Sequence, residues 1–389
     1  MANLTRTASP GMRRVLFEEL RPYPGRTATV VRMVLACTIT TIIVMTLRSP
    51  FAFLGVFNAF VISRQKPEWL LRNGFAAVAA SAASVVYVAA GVRLFYDYAL
   101  LHFVFLLASL YLVFFLKRAL TNDSVTFGFG VTAIVAMTLL WDRPYPSEAH
   151  LASTVSLSFA MMMGTLVAMA TAWVALQLDH AKPDSAQRVQ RLLVPDAFSN
   201  PEYVQFALKG CIAGSLCYFF DSAVAWPVIM GTCATTCIVA ARPLSSGAGT
   251  PAERLFTSAT ALFLGGVVLG FGSQALVLPF ADSIIGFMLQ FVVISAAAAW
   301  IATSSPRLAY AGTLGAMGYF FPMVQRFGPN PSLARSAAFM GDVLLALVAF
   351  WLVFDGGLAG RSTRACVPLE LRRIKADGEQ AILRQADRC

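Results

Sequence analysis

Charge is scarce in this chain: only 13% of its 389 residues are Asp, Glu, Lys or Arg. Against that, 58% are hydrophobic and the mean hydropathy is +0.68. No soluble domain of this length needs so much apolar surface, whereas each helix crossing a bilayer needs about 20 mostly apolar residues. Histidine is scarcer still. His102, His150 and His180 are scattered, so no enzyme constellation is expected and no cofactor is called for. Strict apolar–polar alternation is also missing; the apolar runs are continuous, which excludes a barrel and leaves helices. The first 26 residues are polar, carry Glu18 and Glu19 among arginines and lack an apolar core, so no cleavable signal peptide is expected.

What the chain does have is about a dozen apolar stretches between residues 28 and 354. We place the spans at 28–47, 50–63, 74–92, 98–116, 124–141 and 151–176, then 203–220, 223–241, 255–272, 283–301, 307–325 and 333–354. The expected fold is an all-α polytopic membrane protein of about twelve transmembrane helices, arranged as two parallel six-helix repeats with both termini cytoplasmic. The division is 1–27 as a cytoplasmic segment, 28–176 as the first repeat, 177–202 as a cytoplasmic linker, 203–355 as the second repeat and 356–389 as a cytoplasmic tail.

The distribution of positive charge sets the orientation. With this count of helices, only Arg48, Arg93, Arg143, Arg326 and Arg335 of the 30 Lys and Arg fall outside. The net charge of +10 thus reads as topology and contact with acidic headgroups. Nucleic acid is not an expected partner, because the basic residues are dispersed and no binding motif accompanies them. None of the seven cysteines falls in an outer loop, so no disulfide framework is expected. Cys233 and Cys237 are one helical turn apart, but no His or carboxylate lies near them in sequence, and they read as packing residues with no metal site.

The two halves resemble each other. Adding 177 carries Arg32 onto Lys209, Ala36 onto Ala213, Pro50 onto Pro227 and Asn58 onto Thr235; after a small insertion, Arg72 meets Arg254. An even number of helices per half makes the repeat parallel. The second span of each half is short or opens on proline: Pro50–Ser63, and Trp226-Pro227 onward. Paired short segments of this kind point to a transport site; the alternative is that each proline simply starts a helix.

The stretch YVQFALKGCIAGSLCYFFDSAVAWPVIMGTCATTCIVA (203–240) resembles the second membrane half of the fusaric-acid-resistance family, which includes aromatic carboxylic acid exporters. PGRTATVVRMVLACTITTIIV (24–44) is similar to the family's opening helix, and WIATSSPRLAYAGTLGAMGYF (300–320) agrees as well. The resemblance implies efflux of aromatic or amphipathic organic acids across a bacterial inner membrane, coupled to protons. It also implies a periplasmic adaptor and an outer-membrane channel as partners, and it leaves an oligomer open. The chain departs from many members in having only a short linker where they carry a large central cytoplasmic domain.

Candidate residues follow. Asp342, deep in the last span, is the proton-coupling candidate, with Arg335 two turns earlier as its pairing residue; the alternative is a structural pair. Arg32 and Lys209 are symmetric cations that either attract a carboxylate or snorkel to the headgroups. Asn58 and Thr235 either meet substrate or pin the short helices. Trp226 either stacks on an aromatic substrate or belongs to the outer aromatic belt. Gly265, Gly266 and Gly270 form a small-residue stripe expected to bring helices together. Two rival functions remain: a passive organic-anion channel lined by Arg32 and Lys209, and a non-transporting scaffold that docks partners through its tail.

Overall fold

The computed structural model describes residues 21, 23–95, 97–141, 147–179, 193–194, 198–224, 251–277, 279, 283–324 and 332–356. Most of the expected span 223–241, the linker, the N-terminal segment and the tail lie outside these residues, as do Trp226, Thr235, Cys233 and Cys237. Among the described residues there are eleven α-helices and no strand.

They are α1 (Arg26–Thr46), α2 (Ala52–Ile62), α3 (Pro67–Phe95), α4 (Ala99–Ala119), α5 (Asp123–Trp141), α6 (Ser147–Asp179), α7 (Pro201–Val224), α8 (Pro251–Leu262), α9 (Ile284–Ala302), α10 (Pro306–Met323) and α11 (Leu333–Phe350). α8 continues as π-helical turns through Phe263–Phe271 and Ser273–Val277, and α11 as π-helical Trp351–Gly356. Among the described residues, eight helices are long and apolar enough to cross a membrane. The chain is a multi-pass membrane protein. α3 and α6, with 29 and 33 residues, run beyond the expected spans 74–92 and 151–176. The added turns take in charged residues: Glu68 and Arg93 in α3, and Glu148 and Asp179 in α6.

Local chemistry sets several boundaries. Ser283, Ser305 and Ser332 cap α9, α10 and α11, each accepting a backbone N–H with its side chain, and Pro306 occupies the first turn of α10. On α1, Val31, Leu35, Ile39 and Ile42 are exposed along one apolar stripe, while the buried face mixes Arg32, Thr40 and Thr41 with Val30, Met33 and Val44. An apolar exterior is what contact with lipid selects.

α2 has only 11 residues, about 16 Å of helix, or about half the hydrocarbon thickness. It lies against α6 with almost no space between. A Cβ on Gly55 would sit 2.6 Å from the Ala160 carbonyl oxygen, and one on Gly164 would collide with the Gly55 carbonyl. The glycine stripe on the π-helical turns after α8 works the same way, with Gly265 against the Gly315 backbone of α10.

Contacts of α1 with α9, α4 with α7 and α2 with α10, and two buried apolar clusters that each draw on both sets, join the first six helices to the last five. Polar and cationic contacts gather at the end of the bundle where α1 begins, called here the Arg26 end. Arg26 is buried there; its Nη2 donates to the Trp300 carbonyl, Nη1 to the Arg21 carbonyl at 2.8 Å and Nε to Thr303 Oγ1 at 3.3 Å. Its guanidinium also lies 4.2 Å from the Trp300 ring centroid. At the α4–α7 contact the Arg118 guanidinium lies 4.2 Å from the Phe206 ring centroid. Arg26 sits where the C-terminus of α9 presents carbonyls and partial negative charge.

Candidate functional site

The seam between α2 and α10 holds the densest combination of cation, polar group and aromatic ring. Because α2 is short, its last residues stop well inside the bundle. The depth follows from neighbours. Arg32 is six residues into α1, about 9 Å from its start, and it donates from Nη2 to the Ser63 carbonyl at 2.6 Å and to the Gln65 carbonyl. Gln65 Nε2 in turn donates to Ser124 Oγ at 2.7 Å, tying the loop to the start of α5.

Arg32 Nη2 is therefore occupied by two backbone carbonyls. It closes the C-terminal end of α2, where a cation complements both the carbonyls and the dipole. Replacing Arg32 by Ala is expected to lower the stability of the detergent-solubilised protein by about 2 kcal/mol, the scale of hydrogen bonds made by a charged group. Thermal unfolding measures this. Lys should not restore the loss, because one ammonium lacks the planar fork.

Arg64 is the next residue along and faces the other way. Its Nη1 donates to Thr313 Oγ1 at 3.1 Å, across the seam. Thr313 is fully buried and lies seven residues into α10, about 10 Å from that helix's start. The Arg64 side chain itself is exposed. Even so, desolvation by surrounding protein holds its guanidinium below the ordinary arginine pKa. An exposed side chain with a desolvated head describes a recess, not an open face. The guanidinium remains charged, as arginine does in proteins.

Beyond Arg64 the seam turns aromatic. Phe60 meets Phe320 edge to face at 5.7 Å; Phe53 meets Phe321 at 4.9 Å and Phe339 of α11 at 5.9 Å; Phe321 and Phe339 stack at 3.7 Å. These rings form a column running from the Arg64 recess toward the far end of the bundle. On the opposite side of α2, Asn58 is buried and donates from Nδ2 to the Met161 carbonyl at 2.7 Å and to Thr165 Oγ1 at 2.9 Å. It pins α2 to α6. Its Oδ1 is buried with no hydrogen-bond partner.

Asp342 is buried, nine residues into α11 and about 14 Å from its start. Arg335 is exposed in the first turn of that helix, so the structure does not bring the two together. α11 instead runs beside α7, with Phe206 and Phe354 in contact at 5.4 Å. Counting along both helices from that contact brings Tyr218 level with Asp342, and the fully buried Asp221 about one turn further on. Lys209 is half-buried, with Nζ 6.0 Å from the Phe354 ring centroid. Arg32 and Lys209 thus make separate contacts, Arg32 with the end of α2 and Lys209 with Phe354. Trp226 and Thr235 lie outside the described residues.

Sequence reasoning missed Arg64, Thr313 and Asp221. In the sequence Arg64 is one of the many cations expected on the inner side, with no feature that sets it apart. Asp221 sits one residue past the expected end of its span at 220, yet α7 continues to Val224.

Comparison with known proteins gives one kind of relative. The chain is 32% identical over 154 residues to the multidrug resistance protein MdtO of Escherichia coli strain K12, covering 39% of this chain and 22% of that protein. It is 34% identical over 150 residues to MdtO of Shigella flexneri, covering 38% and 20%. The matched part spans about a fifth of the length of these curated relatives. No protein-family model matches the chain, and no solved structure matches it.

Proposed function

We propose that this protein is an efflux transporter of the bacterial inner membrane that moves aromatic or amphipathic organic acids outward, driven by proton entry. The observation that carries the reading is Arg64: a recessed, solvent-reachable cation bonded across the seam, at the foot of a column of phenylalanines. A carboxylate pairs with the guanidinium, and its ring finds apolar, edge-and-face partners just beyond. Arg32 supports the site from behind by holding the end of α2. The multidrug resistance named in the relatives agrees with efflux.

In this reading the Arg26 end is cytoplasmic, and the fold is two parallel repeats of six spans. Helix positions support it. A shift of 177 carries α1 onto 203–223, beside α7 at 201–224; a shift of 182 carries α3 onto 249–277, α4 onto 281–301 and α5 onto 305–323, each within a few residues of an observed helix. The contacts α1–α9 and α4–α7 exchange under the same operation, as a two-fold axis along the membrane normal requires. An adaptor and an outer-membrane channel would complete the route to the exterior.

The test of the site is kinetic. With 4-hydroxybenzoate as substrate in proteoliposomes, Arg64→Gln is expected to raise the half-saturating concentration about tenfold, the worth of one charge-assisted contact. Thr313→Val should raise it less. An unchanged half-saturating concentration in Arg64→Gln would remove Arg64 from the path.

A further inference from the structure

A second polar cluster lies away from the α2 seam, where the π-helical turns after α8 meet α9 and α10. Gln290 of α9 donates from Nε2 to Ser273 Oγ, and Ser273 Oγ donates to the Leu269 carbonyl. Gln274 Nε2 donates to the Pro322 carbonyl at 3.3 Å. The Tyr319 hydroxyl of α10 lies beside Ser273. The Tyr319 hydroxyl, on a side chain that is 1% exposed, and Gln290 Oε1 are buried with no hydrogen-bond partner.

Leaving polar atoms orphaned in an apolar interior is costly. Helix packing does not require them here. The positions 182 residues earlier, in the corresponding helices, are Gly91, Ala108 and Met137 for Ser273, Gln290 and Tyr319. The first six helices pack without the polar set. The cluster also sits on π-helical turns, whose wider winding is frequent at functional sites. Beside it, the Phe291 ring lies 6.1 Å from Tyr319 and stacks on Phe320 at 5.4 Å.

We propose that Ser273, Gln290 and Tyr319 form a binding site for a neutral aromatic ligand whose polar group both donates and accepts a hydrogen bond, such as a carboxamide or a protonated carboxylic acid. Gln290 Oε1 takes the ligand's donor. The Tyr319 hydroxyl gives its proton to the ligand's acceptor. Phe291 and Phe320 provide apolar surface for the ring. Among the described residues, no charged side chain bonds to these three residues, so a carboxylate has no counter-charge there and the neutral form is preferred. The site therefore differs in kind from the Arg64 recess, and the inference stands whether or not transport is driven by protons.

The test is equilibrium binding of radiolabelled benzamide to the purified full-length protein, read without any ion gradient, so its failure is separate from failure of the transport reading. Wild type should bind benzamide saturably and should bind N,N-dimethylbenzamide, which lacks the donor, at least about tenfold more weakly. Tyr319→Phe and Gln290→Leu should each weaken benzamide about tenfold while eluting as wild type. Absence of saturable benzamide binding would overturn the proposal. So would equal affinity for the dimethyl analogue, a comparison that needs no variant to fold, or variants that bind as wild type.

Discussion

Replacing Asp342 by Asn will abolish uphill movement of substrate and leave downhill movement in place. Asp342 is about 14 Å into α11 and 1% exposed. An ionised carboxylate at that depth costs several kcal/mol unless it is protonated, paired or wetted. Asn keeps the shape and hydrogen-bonding capacity and removes only the titration. The expected result is at least a hundredfold fall in gradient-driven accumulation, about 2.7 kcal/mol of coupling. Asp221, about one turn further along on α7, tests specificity. If Asp342 alone carries the proton, Asp221→Asn keeps most of the coupling. If the two share it, both variants lose it. Accumulation at the wild-type level in Asp342→Asn would rule this carboxyl out.

The second large effect is structural. Gly164→Leu will prevent α2 from seating on α6. A Cβ at Gly164 meets the Gly55 carbonyl, and the neighbouring contacts are backbone atoms that cannot rotate away. The two helices must part, breaking both Asn58 hydrogen bonds and shifting the loop that Arg32 and Arg64 hold. The loss should be about 3 kcal/mol or more, beyond ordinary overpacking because no side chain can yield. Size-exclusion chromatography in mild detergent should show aggregate in place of a single peak. Gly272→Leu is the control, since nothing lies within 4 Å of a Cβ there. A monodisperse Gly164→Leu protein of wild-type thermal stability would contradict the packing argument.

Much of the helical framework was legible in the sequence, because continuous apolar runs can satisfy their backbone only as helices in lipid. The shortness of α2 was legible too, since Pro50 and Arg64 bracket it. The ends of α3 and α6 were not, because hydropathy marks where lipid ends and the hydrogen-bonded backbone continues further. Asp221 was hidden by the same error at its span's boundary. The role of Arg32 needed three dimensions: nothing in its position reveals that the carbonyls of Ser63 and Gln65 come within reach. The Arg64–Thr313 bond joins residues far apart in the chain, and the Gln290–Ser273–Tyr319 cluster draws on three helices. No spacing in the chain encodes either one. The π-helical turns have no local sequence signature, and the glycine stripe announced only that something packs closely there.

The most direct test of the transport reading is flux of a fluorescent aromatic carboxylate into proteoliposomes of the purified protein, with and without an imposed proton gradient. Accumulation above the equilibrium level that appears only with the gradient is the expected result. Flux that stops at equilibrium under both conditions would contradict proton-driven export and leave a passive anion channel through the Arg64 recess.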